Sequence, residues 1–458
     1  MDIPLFITVL MVLQFVCMYA GRRASRDLTN EKDYFLAGKE VRFFPLLMSF
    51  IATQIGGGLI LGSSEEAYQF GWAVLLYPLG ASLGFMLLAL GVGRRLAQFR
   101  VSTVAQLFEQ VYHSPKLKIA ASLLSIISLF LILVAQVMGS RKFMINLEID
   151  SMPLFLAFWG IVIFYTVMGG LKALVSIDII QALFFILIFA AGCGSVLYYA
   201  DATLTSSIQA GWSGEGFEWD GSKLLGWLFM PLLFMVIEQD MAQRCFAARS
   251  PGVVAKAAGC AAAATLLICL VPIYFGIYAK QVGIAIPDQG SVFMAVAEAA
   301  TSPAMSALLG CAVLMAVVST AISLINAVSS NLMQDFDWGF WGNGSRLLLL
   351  RSMTALIGLA AVFFSFYYQN IVDLLIESYE ISVYCLFVPV AAALFKQRGN
   401  SSSAFLAMLF GAVAFFLTRS WELPVPKEIF SVLLSLCGFG LGELIEWQLQ
   451  LRKSVCKL

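Results

Sequence analysis

The chain contains a single histidine, His113, among its 458 residues. One histidine argues against zinc hydrolases and against histidine-based catalytic triads, because both depend on that side chain. The sequence also lacks a G-x-x-x-x-G-K-[ST] motif, which argues against an ATP-binding P-loop. With no metal-ligand or nucleophile–base constellation in the sequence, we expect that the protein is not an enzyme.

Cysteine is present but not clustered. The sequence has 9 cysteines and no C-x-x-C motif. Disulfide and metal frameworks need grouped thiols, so we interpret the seven cysteines that lie inside apolar runs as small core hydrophobes. They are Cys17, Cys193, Cys260, Cys269, Cys311, Cys385 and Cys437.

Charge is the scarcest property of this sequence. Only 12% of residues are charged and 60% are hydrophobic, whereas a soluble domain has roughly a quarter charged residues. The apolar residues fall into runs of about 18 to 25, the length that crosses a hydrocarbon core of roughly 30 Å. The composition therefore predicts a protein embedded in a lipid bilayer.

The apolar runs predict an all-α polytopic membrane protein with about thirteen transmembrane helices. We expect one transmembrane domain over residues 1–458. The predicted spans are 3–21, 44–69, 71–93, 118–140, 152–169, 174–200, 223–246, 252–279, 303–331, 346–367, 370–395, 402–419 and 427–449. The first run begins with an acidic residue, Asp2, and we interpret it as a span and not as a signal peptide.

Basic residues predict the orientation. With the N-terminus outside, about 22 of the 28 lysines and arginines fall on the cytoplasmic side. The reverse topology would put this bias on the wrong side. We therefore expect a multi-pass protein of the inner (plasma) membrane, with its N-terminus outside and its C-terminus in the cytoplasm.

Two predicted spans are interrupted. The second places Gln54 and the run Gly56–Gly58 in mid-membrane, and the seventh places Pro231 in mid-helix and Glu238 near its end. Taken separately, they are explained equally well by close helix packing and by a proline kink. The two spans are five helices apart, which is typical of an inverted repeat with a binding site between broken helices.

Polar groups in other spans suggest a cation site. Ser319 and Thr320 are adjacent in the ninth span, and Ser323 follows one turn later. Hydroxyl groups in membrane helices often only bond to their own backbone. Asp178 opens the sixth span; it is either an interfacial carboxylate near a helix N-terminus or the partner of a cation.

At this point the sequence resembles the sodium:solute symporters, a family that includes carriers of proline, pantothenate, sialic acid and galactose. The similar segments are DYFLAGKEVRFFPLLMSFIATQIGGG, YTVMGGLKALVSIDIIQ, QDMAQRCFAARS and AVVSTAISLINAVSS. They occur in family order and extend across most of the chain.

The resemblance implies a leucine-transporter-like core of ten helices in two inverted repeats, at about 44–200 and 223–395. One helix, 3–21, precedes this core, and two, 402–419 and 427–449, follow it. The resemblance also implies a sodium site made of carbonyl and hydroxyl oxygens, at the positions of Ala52, Ile55, Ala316, Ser319 and Thr320.

In the family, an aspartate that matches Asp178 lies on the inward sodium path, and Ser323 fits the same path. Some members have a second sodium site. This chain differs from those members, because Ile322 occupies a position at which that second site has another hydroxyl group.

The sequence gives a weaker indication of the solute. Near mid-membrane it offers acids and no lysine or arginine, which favours a cationic or zwitterionic solute such as an amino acid. The alternative for Glu377 and Glu380 is pairing with polar groups of a neighbouring helix. The candidate substrate residues are Gln54, Gly57, Gly58, Glu238, Glu377, Tyr379 and Glu380.

The resulting hypothesis is a sodium-coupled symporter that imports a small organic solute by alternating access. We expect a sodium ion, a solute and the lipid bilayer as its partners, with no nucleic acid and no obligatory protein partner. Two alternatives stay open: a proton-coupled carrier of the same fold, and a transporter-like sensor that acts with a separate partner.

Overall fold

The computed structural model describes residues 1–24, 35–146, 152–199, 211, 218–287, 290–338, 346–368, 370–396, 399–421 and 426–455. The two residues that open the DYFLAG segment, Asp33 and Tyr34, therefore lie outside the described residues. Within this part of the chain the protein is built from helices, with one isolated β-bridge between Val41 and Ala248.

The described residues form seventeen α-helices. The first nine are α1 Ile3–Ala24, α2 Phe43–Gln54, α3 Ser63–Phe70, α4 Leu76–Leu87, α5 Gly93–Gln98, α6 Gln106–Tyr112, α7 Pro115–Asn146, α8 Met152–Tyr199 and α9 Gly221–Phe234. The remaining eight are α10 Gln239–Ala247, α11 Pro251–Val282, α12 Val292–Ala300, α13 Pro303–Asp335, α14 Arg346–Phe364, α15 Ile371–Lys396, α16 Ser401–Ser420 and α17 Lys427–Val455.

Ten segments of the described residues are long and apolar enough to cross a membrane. Each of the thirteen predicted spans contains helix, but the structure joins and divides them differently. Helix α8 runs through two predicted spans and turns at Gly170, whose φ of 64° interrupts the regular helix. The second and seventh spans are each divided into two shorter helices. The count of thirteen transmembrane helices therefore stays a prediction.

Helix α13 lies at the centre of the protein. In the most apolar stretch of 18 residues, 94% of the residues of α13 are buried, whereas only 17% are buried in the corresponding stretch of α1. The helix begins at Ser302, whose side chain accepts a hydrogen bond from Met305 N–H, with Pro303 in the first turn. Its main neighbours are α7 and α8. The hydroxyl groups of Ser319, Thr320 and Ser323 are therefore held in the interior, away from lipid.

Two breaks position the site beside α13. Helix α2 ends at Gln54, and the chain continues through Ile55 and the glycines into a π-helical turn, Gly58–Gly62, before α3. Helix α9 ends at Phe234 and α10 begins at Gln239, with Glu238 in an extended conformation between them. The segment that leads into α2 is joined to the end of α10, because Val41 exchanges backbone hydrogen bonds with Ala247 and Arg249.

Candidate functional site

Oxygen atoms of α2 and α13 meet beside the first break. Ser319 Oγ lies within hydrogen-bonding distance of two carbonyl oxygens, that of Ala52 at 2.7 Å and that of Ala316 at 2.8 Å, and its one hydrogen can be donated to either. Thr320 Oγ1 donates to the Thr53 carbonyl at 2.9 Å and lies 3.4 Å from the Ala52 carbonyl. Two hydroxyls and several carbonyls, all neutral oxygens, are thus gathered in one place.

This donor set suits sodium, because hard cations prefer oxygen ligands. Four of the five residues that the resemblance implies are linked directly by these hydrogen bonds, namely Ala52, Ala316, Ser319 and Thr320. The fifth, Ile55, directly follows the last residue of α2 and has a non-helical ψ of 88°. The hydroxyl hydrogens rotate freely, so the same oxygens can turn their lone pairs to an ion.

The glycines of the break allow this close approach. A Cβ atom on Gly56 would lie 2.6 Å from both Gln136 Oε1 and Thr320 Oγ1. Gly57 N–H, freed by the end of α2, donates to Gln136 Oε1 at 2.7 Å. Helix α7 thereby satisfies a backbone group that the break exposes, which a buried N–H requires.

A cavity opens on the side of the break that faces α4, α7 and α15. It is narrow in this structure, with a cavity volume of about 20 Å³, which is room for about one water molecule. Its lining includes four of the predicted substrate residues, Gln54, Gly58, Glu238 and Tyr379. The other lining residues are Thr53, Gly56, Leu59, Tyr77, Ile132, Gln136, Thr320, Leu324 and Leu375. Gly57 lies beside the cavity through its bond to Gln136.

Among the described residues that line the cavity, Glu238 has the one acidic side chain, and its carboxyl group lies against that of Asp240. It lies near the hydroxyl groups of Tyr77 and Tyr379, which hydrogen-bond to each other. The ring of Tyr379 is stacked on Phe234 with centroids 4.5 Å apart. Gln54 Oε1 has no hydrogen-bond partner within the described part of the chain. The cavity therefore offers a carboxylate, an unpaired carbonyl oxygen and an aromatic wall.

Asp178 and Ser323 meet in a separate buried cluster. Asp178 Oδ2 accepts hydrogen bonds from Ser49 Oγ at 2.5 Å and from Arg244 Nη2 at 3.0 Å. Arg244 Nη2 also donates to Ser323 Oγ at 2.6 Å. Ser323 Oγ lies 3.3 Å from Thr53 Oγ1, so this cluster adjoins the oxygens of the first break.

The structure does not bring Glu377 and Glu380 to the cavity. Glu380 is paired with Lys427 of α17 at 2.6 Å, and the mostly exposed Glu377 lies 3.8 Å from Arg419 of α16. These two ion pairs match the alternative from the sequence, in which both glutamates pair with polar groups of a neighbouring helix. Their helical spacing shows only that they share a face of α15, and the neighbours of that face follow from packing.

For three residues of the site, the sequence predicted no functional role: Gln136, Tyr77 and Arg244. Gln136 is a polar residue in the middle of an apolar run, a signal that was available. Arg244 belongs to the QDMAQRCFAARS segment, but its full burial could not be deduced from a position so near the end of a span. Tyr77 resembles any aromatic residue of a membrane helix, and the sequence holds no signal for it.

Comparison with known proteins gives a consistent result. The family model described as "Sodium:solute symporter family" matches residues 34–411. A sodium/proline symporter of Haemophilus influenzae is 26% identical, covering 94% of this chain and 91% of that protein.

Two solved structures share the fold. A sodium-coupled sialic acid symporter, in a substrate-bound outward-open state, has a TM-score of 0.78 at 14% identity, covering 96% of this chain and 97% of that one. A nucleobase-cation-symport-1 family transporter in a closed conformation has a TM-score of 0.62 at 14% identity, covering 90% and 96%. These neighbours confirm the all-α, leucine-transporter-like fold class.

Proposed function

Since the chain belongs to the sodium:solute symporter family and is a sodium-coupled symporter, we propose that its solute is a small zwitterion or cation with a positively charged amino group. The observation that carries this proposal is Glu238, the one acidic side chain among the described residues that line the cavity, which forms a buried acidic pair with Asp240. A carboxylate in a confined, partly apolar site attracts a cation strongly and repels an anion.

The other groups of the cavity suit an amino acid. Gln54 Oε1, which has no partner among the described residues, can accept a hydrogen bond from the ammonium group of the solute. Gln136 is oriented by Gly57 N–H through its oxygen, so its NH₂ group is available to a solute carboxylate. The ring of Tyr379, which lines the cavity and is supported from behind by Phe234, offers an apolar surface to a short side chain. The similarity to a sodium/proline symporter supports the same class of solute.

We place the sodium ion at Ala52, Ile55, Ala316, Ser319 and Thr320. Thr320 contributes to both the oxygen cluster and the lining of the cavity. A sodium ion there would hold the end of α2 against α13 and so fix the position of Gln54 and the glycines. Sodium then strengthens solute binding, and by thermodynamic linkage the solute strengthens sodium binding.

Alternating access completes the cycle in this proposal. The two repeats, at about 44–200 and 223–395, each contribute one broken helix to the site, and their relative movement opens it to either side. Sodium leaves past Asp178 and Ser323. A potential of about −100 mV contributes about 2.3 kcal/mol for each sodium ion that enters, in addition to the concentration gradient.

The orientation is also part of the proposal. We place the N-terminus outside and the C-terminus in the cytoplasm, because most lysines and arginines then fall inside. The test uses two fusions. A reporter that is active only outside the cell, fused after Ser420, should be active, and so should a reporter that is active only in the cytoplasm, fused at the C-terminus. If both fusions are inactive and the exchanged reporters are active, the topology is the reverse.

The solute proposal is tested by counterflow in proteoliposomes. We expect uptake of a radiolabelled amino acid to require sodium and to be inhibited by amino acids and primary or secondary amines. Sugars and dicarboxylates should not compete. Glu238→Gln should weaken solute binding at least about tenfold, the effect of about 1.4 kcal/mol. Glu377→Gln is the matched control, because this exposed glutamate lies away from the cavity. Competition by anions or neutral sugars alone, or equal effects of both variants, would contradict the proposal.

A further inference from the structure

Four buried side chains with oxygen atoms lie between α15 and α17, which pack against each other. Glu380 and Tyr384 are one turn apart on α15, and Glu428 and Ser431 are one turn apart on α17, so each pair shares a face of its helix. All four are less than one-tenth exposed. None of them is among the residues that line the cavity at the break of α2. We name this group the α15–α17 cluster.

The members of the α15–α17 cluster are close to one another. The hydroxyl group of Tyr384 has Glu380, Glu428 and Ser431 as polar neighbours. Helix α9 closes a third side, because a Cβ atom on Gly226 would lie 3.2 Å from Glu428 Oε1. The glycine lets the backbone of α9 approach this carboxylate, and three helices therefore enclose it.

Four oxygen atoms of the cluster have no hydrogen-bond partner among the described residues. They are both carboxylate oxygens of Glu428, the hydroxyl oxygen of Tyr384 and Ser431 Oγ. Buried polar groups in native proteins are nearly always paired, and unpaired ones are a sign of a bound ion or water. A proton on Glu428 would not satisfy the group, because neither of its oxygens lies within hydrogen-bonding distance of an acceptor.

The nearby bases compensate only part of the charge. Lys427 Nζ lies 2.6 Å from Glu380 Oε1. Arg419, another base near Tyr384, lies 3.8 Å from Glu377. Adjacent residues of a helix point in different directions, so Lys427 does not face Glu380 and Glu428 equally well. Glu428 therefore leaves one negative charge inside the protein, which is strongly destabilising unless a cation compensates it.

We propose that the α15–α17 cluster is a binding site for one monovalent inorganic cation, separate from the cavity and from the sodium site at Thr320. An all-oxygen set with a carboxylate suits a hard cation. The ion would join α17 to α15 and α9. It would also steady one wall of the cavity, because Tyr379, the neighbour of Glu380 in the chain, lines that cavity.

The chemistry of the site sets which cations enter. The attraction comes mainly from the charge of one carboxylate, so sodium and potassium should both bind. Choline carries the same charge but is too large for a site that the backbone of α9 approaches at Gly226. A comparison of potassium with choline therefore reports on this cluster. A comparison of sodium with potassium reports on the site at Thr320, so each of the two proposals can fail without the other.

The first test is equilibrium binding of ⁸⁶Rb⁺, a radioactive substitute for potassium, to the purified full-length protein in choline chloride without sodium. We expect about one bound ion per protein, because one uncompensated carboxylate takes one monovalent cation. Glu428→Gln should lose this ion, and Thr320→Ala should keep it. Glu377→Gln is the matched control, since this exposed glutamate lies outside the cluster. A wild type that binds no ⁸⁶Rb⁺, or a Glu428→Gln variant that binds it normally, would overturn the proposal.

The second test is the thermal unfolding midpoint in potassium chloride and in choline chloride at equal ionic strength. We expect potassium to raise the midpoint of the wild type, because only the native state binds the ion. Glu428→Gln should show no difference between the two salts. In choline this variant should be more stable than the wild type, because it lacks the uncompensated buried charge. If Glu428→Gln does not fold, Ser431→Ala serves instead, since it keeps both carboxylates and should bind ⁸⁶Rb⁺ about tenfold more weakly. Equal midpoints of the wild type in both salts, or unchanged binding by Ser431→Ala, would contradict the site.

Discussion

Ser319 Oγ lies 2.7 Å from the carbonyl oxygen of Ala52, across the gap between the central helix α13 and the broken end of α2. This contact links the two elements whose separation would open or close the site. An ion that takes the place of such hydroxyl–carbonyl hydrogen bonds ties the same two helices more strongly, because it interacts with all the oxygens at once. The proposed coupling of sodium to solute follows from this geometry.

The space at Gly56 gives the first prediction. Gly56→Ala should abolish sodium-dependent uptake, because its Cβ would lie 2.6 Å from Thr320 Oγ1 and from Gln136 Oε1. The control is Gly194→Ala in α8, where a Cβ meets no atom within 4 Å. This control should retain uptake and gain up to about 1 kcal/mol of helix stability. The measurement is the rate of sodium-dependent uptake by each purified variant in proteoliposomes. Full activity of Gly56→Ala would contradict the proposed sodium site.

Gln136 gives the second prediction. Gln136→Leu should lower the free energy of unfolding by about 1–3 kcal/mol and weaken solute binding, because Gly57 N–H would be buried without its acceptor. Gln181→Leu is the matched control in α8. Its Oε1 has no partner within the described residues and its Nε2 makes a weak contact with Met315 Sδ at 3.9 Å, so its replacement should cost little. The measurement is the thermal unfolding midpoint of each variant, together with its affinity for solute. Equal loss in both variants would show that Gln136 has no special role.

An ion pair between α3 and α7 gives the third prediction. Glu65 and Lys142 are 2.9 Å apart and only partly exposed. A double-mutant cycle with Glu65→Gln and Lys142→Met should give a coupling energy of up to about 1 kcal/mol, the range of partly solvated pairs. The coupling is measured from thermal unfolding midpoints and should fall as salt is raised. Strictly additive effects would mean that the pair does not hold these helices together.

The helix break predicted at Gly56–Gly58 is present in the structure, with the hydroxyl groups of α13 beside it, and the role of those hydroxyl groups in sodium binding stays a prediction. Both signals are local, since glycines and hydroxyls in an apolar run are conspicuous and their spacing is fixed by the chain. The charged residues were harder to place. Glu377 and Glu380 looked central because they lie within a span, but Arg419 and Lys427 of the last two helices face them. Arg244 looked peripheral yet is fully buried, because α10 is buried along its whole length, from Gln239 to Ala247. Which helix packs against which face is a long-range property that one sequence does not reveal.

The most direct test of the central claim is the thermal unfolding midpoint of the purified protein in sodium and in potassium at equal ionic strength. A ligand that binds only the native state stabilises it by about 2.7 kcal/mol at a concentration of a hundred times its Kd. We expect sodium to raise the midpoint of the wild type, and Thr320→Ala to lose this rise. The matched control is Thr354→Ala in α14, since Thr354 is equally buried but bonds to Leu350 and Ser329, away from the site.

Thr354→Ala should keep the full difference between the two salts, even if its own stability falls. That outcome, together with the loss in Thr320→Ala, would establish the oxygens around Thr320 as the sodium site. A sodium-specific rise that survives Thr320→Ala, or identical midpoints of the wild type in sodium and potassium, would contradict the account.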